Sequence, residues 1–138
     1  MQRPATPGIG RRLLSLIYEL LLLTALVLLA GAVATAITQS AAPVHARSIT
    51  RILVAFSCIS YFAWQWHHHG QTLPMKTWRM HLVTTGGKTI TIPRAVLRAC
   101  LAAAGYLCFG ITVLWAFIDR DGQFLHDRIA GTRLVTAG

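Results

Sequence analysis

The chain has 138 residues, enough for about one domain. Only 12% of them are charged and 54% are hydrophobic, a balance that excludes an ordinary soluble domain. The net charge of +9 comes from 13 Lys and Arg against four acids. The basic residues flank apolar segments and no nucleic-acid reader motif is present, so the charge reads as a signal for topology and anionic lipid, not for nucleic acid.

The first apolar segment runs from about Leu13 to Ile37, long enough for a tilted crossing of about 30 Å of hydrocarbon. It follows Arg11 and Arg12, as a signal peptide would. It exceeds a signal core of about 7–15 residues, however, and carries Glu19 near its start, so it reads as a retained helix. A short loop containing Pro43 leads to a second span over about 48–66, which ends in Tyr61, Trp64 and Trp66, residues suited to a membrane interface. His67, His68 and His69 come next. Adjacent imidazoles point in different directions and no acid or thiol follows, so they read as interfacial residues and not as a metal site.

The stretch 76–92 has strand periodicity. Trp78, Met80 and Leu82 alternate with Arg79 and His81, and Ile90 and Ile92 alternate with Thr89 and Thr91. A three-residue loop, Thr85 to Gly87, with Gly87 left-handed, pairs Leu82 with Ile90 and Met80 with Ile92. A lone hairpin is marginal in water, and 132–136 is the natural third strand. The third apolar segment spans 93–118, opening on Pro93 with Arg94 and Arg98 one turn apart. It crosses once with a tilt, or breaks near Gly105–Gly110 into two half-helices.

Topology arguments conflict over that choice. Arg3, Arg11 and Arg12 place the N-terminus in the cytoplasm, and Lys76, Arg79, Lys88, Arg94 and Arg98 place the 76–92 loop there too. Three simple crossings put the C-terminus outside. A three-stranded cap needs it inside, which makes 93–118 re-entrant, with protein covering its broken ends. The expected fold is mainly α and integral to the membrane: two spanning helices, a broken or tilted third segment, and a small three-stranded antiparallel cytoplasmic cap.

Three sequences carry a family resemblance: Arg12-Leu-Leu-Ser-Leu-Ile-Tyr-Glu19, Gly70-Gln-Thr-Leu-Pro-Met-Lys76, and Asp121 through Val135 with its core His126-Asp127-Arg128-Ile-Ala-Gly131-Thr132. Together they resemble the RDD family of small bacterial membrane proteins, from about Ile9 to Val135. The family is named for one Arg and two Asp. Arg12 fits the Arg and Asp127 the second Asp. Glu19 stands where the first Asp is expected, one methylene longer. Leu-Pro-Met-Lys replaces a more usual Gly-Lys pair. The resemblance implies a multi-pass protein of the bacterial inner membrane, with transport as the proposed activity.

Glu19 is the sharpest chemical signal, since a carboxylate about two turns inside a spanning helix costs several kcal/mol unless paired, protonated or hydrated. Arg12 lies about 10 Å away along the helix by rise per residue, too far for direct contact. Each therefore needs another partner: Arg94 or Arg98 for Glu19, and Asp127 for Arg12. One reading makes Glu19 a proton or cation site, the other makes it half of a structural ion pair. Three short helices cannot enclose a pathway alone, so transport calls for a homo-oligomer or a partner membrane protein. His126, Asp127 and Arg128 read as a tether for the tail, Gly131 as the turn into the last strand beside Thr132, and Asp119 and Asp121 as a solvated helix terminus. Cys58, Cys100 and Cys108 are core hydrophobes. No catalytic constellation, metal site or cofactor motif is present, so the expected function is not enzymatic. The alternative to transport is an accessory protein that binds lipid or a partner, with its charges holding the fold.

Overall fold

The computed structural model describes residues 6–108 and 110–136, so Arg3 lies outside the described residues. Two long helices come first, α1 (Ile9–Ile37) and α2 (Pro43–His69). Both are apolar and long enough to cross a membrane. Their outward faces carry large exposed side chains such as Leu21, Leu28, Ile52 and Phe56, as expected where lipid is the solvent. Pro43 stands in the first turn of α2, where its missing N–H costs nothing. Each helix runs a few residues beyond the apolar core read from the sequence, which shows apolar length but not the polar turns that continue it.

The short helix α3 (Leu73–Thr77) begins at Thr72, whose hydroxyl accepts from the Met75 amide. Strand β1 (Met80–Thr84) follows. Helices α4 (Ile92–Leu107) and α5 (Ile111–Ile118) form the third apolar segment, broken between them and bent by 96°. The chain ends in α6 (Leu125–Ile129) and strand β2 (Thr132–Thr136). β2 pairs antiparallel with β1, Leu82 opposite Leu134 and Met80 opposite Thr136. The segment that begins after β1 thus returns to β1, and the expected break near Gly105–Gly110 describes α4 and α5.

The sheet has two strands, not three. The expected turn is present: Gly87 is left-handed at φ 78°, its amide donates to the Thr84 carbonyl at 2.8 Å, and the Thr84 amide donates to the Lys88 carbonyl at 2.9 Å. Beyond that point the expected Leu82–Ile90 and Met80–Ile92 pairs do not form. The Leu82 amide donates instead to the Gly70 carbonyl at 2.6 Å, which occupies the outer edge of β1. Ile92 and Pro93 have already entered α4. Ile90 is buried nonetheless, in a core with Trp66, Met75, Met80, Leu82, Ala95 and Leu134. The hairpin region reads from residue 76 in the sequence, but α3 extends to Thr77, so the strand starts only at Met80.

The fold of α5 against α4 rests on one absent side chain. A Cβ at Gly105 would lie 3.0 Å from the Thr112 Cβ. Gly105→Val should therefore overpack this contact and lower stability by about 1–3 kcal/mol, measurable as a fall in the unfolding midpoint of the detergent-solubilised protein. An unchanged midpoint would show that α5 moves away freely.

Candidate functional site

The charged residues converge where α1, α4 and α6 meet. Arg98 projects from the buried face of α4, and its Nε donates to Asp127 Oδ1 at 2.7 Å. Their side chains are 6% and 0% exposed, so the pair has no water to share its charge. The Arg98 guanidinium also lies 4.1 Å from the centre of the Trp66 ring, a cation–π contact. Thr132 donates to the same Asp127 oxygen at 3.4 Å. Asp127 was expected to serve Arg12, and that pairing is not formed. Arg12 Nη1 donates instead to the Gly122 carbonyl. A backbone carbonyl in a glycine turn has no signature that would have marked it as the partner.

Glu19 pairs with neither arginine. Its carboxylate accepts from the Thr72 hydroxyl at 2.5 Å, and among the described residues it forms no ion pair. Thr72 therefore both caps α3 and holds Glu19, which ties the middle motif to α1. That motif was legible, but the hydroxyl within it was not singled out. Arg94 is exposed and takes no part in the electrostatic frame. One turn of helix separates it from Arg98, but 100° per residue puts the fourth residue about 40° further round, enough to cross from a buried to an open face.

His126 and Asp127 are buried, while Arg128 is open to solvent. His126 Nδ1 accepts from the Thr112 hydroxyl at 2.5 Å, and its Nε2 lies 3.7 Å from Asp127 Oδ1. Burial pushes the imidazole down to about 4. Asp127 works against that shift and Arg98 adds to it. The ring is therefore neutral at pH 7 with its proton on Nε2. Asp119 and Asp121, expected to be a solvated helix end, both bind Arg128: two bonds to Asp119 at 2.8 and 3.1 Å and one to Asp121 at 2.7 Å. Burial pulls the Asp119 carboxyl upward, but Arg128 and the amides of Gln123 and Asp121 outweigh it and hold it below the usual range. Gly131 is left-handed at φ 64°, in the turn that leads into β2.

These groups line one side of a cavity of about 200 Å³ between α1, α2 and α4. Arg12, Ser15, Glu19, Arg98, Tyr106 and His126 are among its polar members, while Leu16, Leu23, Ile59, Phe62 and Ala102 belong to its apolar walls. No group of three or more metal-ligating side chains gathers among the described residues. Of the histidine run, His67 Nδ1 lies 2.8 Å from the Ile90 carbonyl and His68 stacks on Trp64, so two of the three have local partners.

Residues 6–131 match the RDD family. The chain belongs to the RDD family. A relative, "Uncharacterized protein RP437" of Rickettsia prowazekii (strain Madrid E), is 33% identical over 87 residues, 62% of this chain and 46% of that protein. The chain thus spans less than half the length of that relative. No solved structure matches. Within this RDD protein the second Asp of the family pattern is half of the buried pair, whereas the Glu in place of the first Asp forms no ion pair among the described residues and feels Arg98 only through space.

Removing Arg98 with Arg98→Ala should cost about 3–5 kcal/mol because it strands the Asp127 charge, and adding Asp127→Asn should restore much of the loss in a double-mutant cycle. Additive losses would mean the two side chains do not act as a pair. For His126 the folded value of about 4 lies below the ordinary 6.5. The unfolded chain therefore binds the extra proton between those values, and stability falls as pH drops from about 6.5 toward 4. Chemical unfolding at pH 7 and pH 5 should show the decline, and His126→Gln should flatten it.

Proposed function

We propose that this RDD-family protein is a multi-pass protein of the bacterial inner membrane that moves, or helps to move, a small cation or solute, with Glu19 as its titratable site. The observation that carries this reading is the state of Glu19. It faces the cavity from within a candidate span, and a neutral hydroxyl is its partner. A carboxyl whose direct hydrogen bond is to a hydroxyl, with Arg98 acting on it only through space, can change its charge without breaking an ion pair, as a coupling site must. The structural-pair role that competed for Glu19 is filled by Asp127 and Arg98.

Arg11 and Arg12, with Lys76, Arg79, Lys88 and Arg94 between α2 and the first turn of α4, favour a cytoplasmic N-terminus and cap. The small helical frame calls for a second copy or a partner membrane protein to complete a pathway. No catalytic role is proposed for any residue. The apolar walls of the cavity support the second reading, an accessory protein that binds lipid or a partner.

Proton- and sodium-driven flux in proteoliposomes, wild type against Glu19→Gln, separates the two. Transport predicts that flux falls at least about tenfold in a Glu19→Gln protein of normal folded yield, as for loss of an essential proton-transfer group. An equal flux from both proteins would end the role assigned to Glu19, and no flux from well-folded wild type would favour the accessory reading.

A further inference from the structure

The arginines around the site are not equally satisfied. Arg98 has Asp127, and Arg128 has Asp119 and Asp121. Arg12 is 2% exposed, and none of the described carboxylates forms an ion pair with it. Nη1 reaches the Gly122 carbonyl, but Nε and Nη2 have no hydrogen-bond partner among the described residues. Ser15, one turn along the same face and 3% exposed, has an unpartnered Oγ as well. Three donors on two buried side chains are thus unused, and both side chains line the cavity. A buried donor left unmet is destabilising, and more so when charged.

We infer that Arg12 and Ser15 form a subsite for the acidic head of a single-chain amphiphile, a carboxylate or phosphate monoester whose chain lies along the apolar wall. A planar guanidinium presenting two neighbouring N–H groups matches two oxygens of such a head, and the Ser15 hydroxyl supplies a further donor. The remainder of the cavity is apolar, and Leu16, Leu20, Leu23 and Val27 of α1 carry that wall away from Arg12 along one helix face. That face belongs to a candidate span, so a chain following it would continue into hydrocarbon.

Size argues for one chain. The cavity volume of about 200 Å³ exceeds the roughly 150 Å³ that holds a benzene ring but falls below the roughly 300 Å³ where drug-sized sites begin. It takes a head and the first part of a chain, not both tails of a diacyl lipid. The competing charges are Asp127 and Asp119, which act on Arg12 through space but are engaged by Arg98 and Arg128. Asp127 Oδ2 has no partner among the described residues, so it opposes an anion that approaches too closely. Glu19 lines the same cavity one turn beyond Ser15, so the chain and not the charged head passes beside it, and the inference stands whether or not Glu19 couples flux.

The test is equilibrium binding to the full-length protein in nanodiscs of zwitterionic lipid. Four radiolabelled probes share one ten-carbon chain: decanoate, decyl phosphate, decanol and decyltrimethylammonium. The two anions should bind at least about tenfold more tightly than the alcohol, the scale of one charge-assisted head contact. Arg12→Gln should abolish that preference and Arg12→Lys should keep part of it. Because Arg12 also holds the Gly122 turn, Ser15→Ala is the second variant; its side chain has no bond to lose, and anion affinity should fall about threefold with folding unchanged. The inference is overturned if decanol or the ammonium binds as tightly as the anions, or if folded Arg12→Gln keeps the preference. Inorganic phosphate should not displace decyl phosphate at similar concentration. If it does, the site takes a water-borne anion, and the amphiphile is the wrong ligand.

Discussion

The buried pair between Arg98 and Asp127 is the constraint on which the rest of this structure depends. It joins α4, which enters and leaves the third apolar segment, to α6, which leads into the last strand. With both side chains out of water, neither charge can be left alone, so the two elements must meet in one register. Trp66 extends the constraint to α2 through its ring against the Arg98 guanidinium. Thr132 extends it to the start of β2. The sheet, the bent path of α4 and α5 and the cavity floor then follow from where these elements are held.

A division of labour appears among four charged positions that look alike in the sequence. Asp127 and Arg98 neutralise each other and hold the frame. Arg128 gathers Asp119 and Asp121 at the surface and closes the turn beyond α5. Glu19 and Arg12 both face the cavity, and neither has an oppositely charged partner among the described residues. An acid bonded to a hydroxyl and a guanidinium bonded to a carbonyl keep hydrogen-bonding capacity that full ion pairs would consume. That difference is what makes the first pair structural and the latter two candidates for chemistry.

The neutral His126 belongs with the frame, although it also reaches the cavity. Its ring accepts from Thr112 of α5 and lies beside Asp127, so it links the second half-helix to the buried pair. A protonated ring there would face Arg98 in a region without water, and burial keeps the proton off. Gly105 works on the same joint from the other side by letting α5 come close enough for Thr112 to reach the histidine.

Sequence alone determined the apolar lengths of α1 and α2, the left-handed turn at Gly87 and the family pattern, and it offered the break in the third segment as one of two alternatives. These depend on composition and on local backbone chemistry, which neighbours in the chain settle. It also singled out Arg12, Glu19, Arg98 and Asp127, because a charge inside an apolar segment stands out wherever it goes. Only the tertiary structure decided who pairs with whom. Arg94 and Arg98 are equivalent by type and spacing, yet a rotation of about 40° buries one and exposes the other. Thr72 and the Gly122 carbonyl are invisible as partners because neither is charged. The third strand failed for the same kind of reason: the outer edge of β1 was taken by Gly70, a contact between segments that no periodicity records.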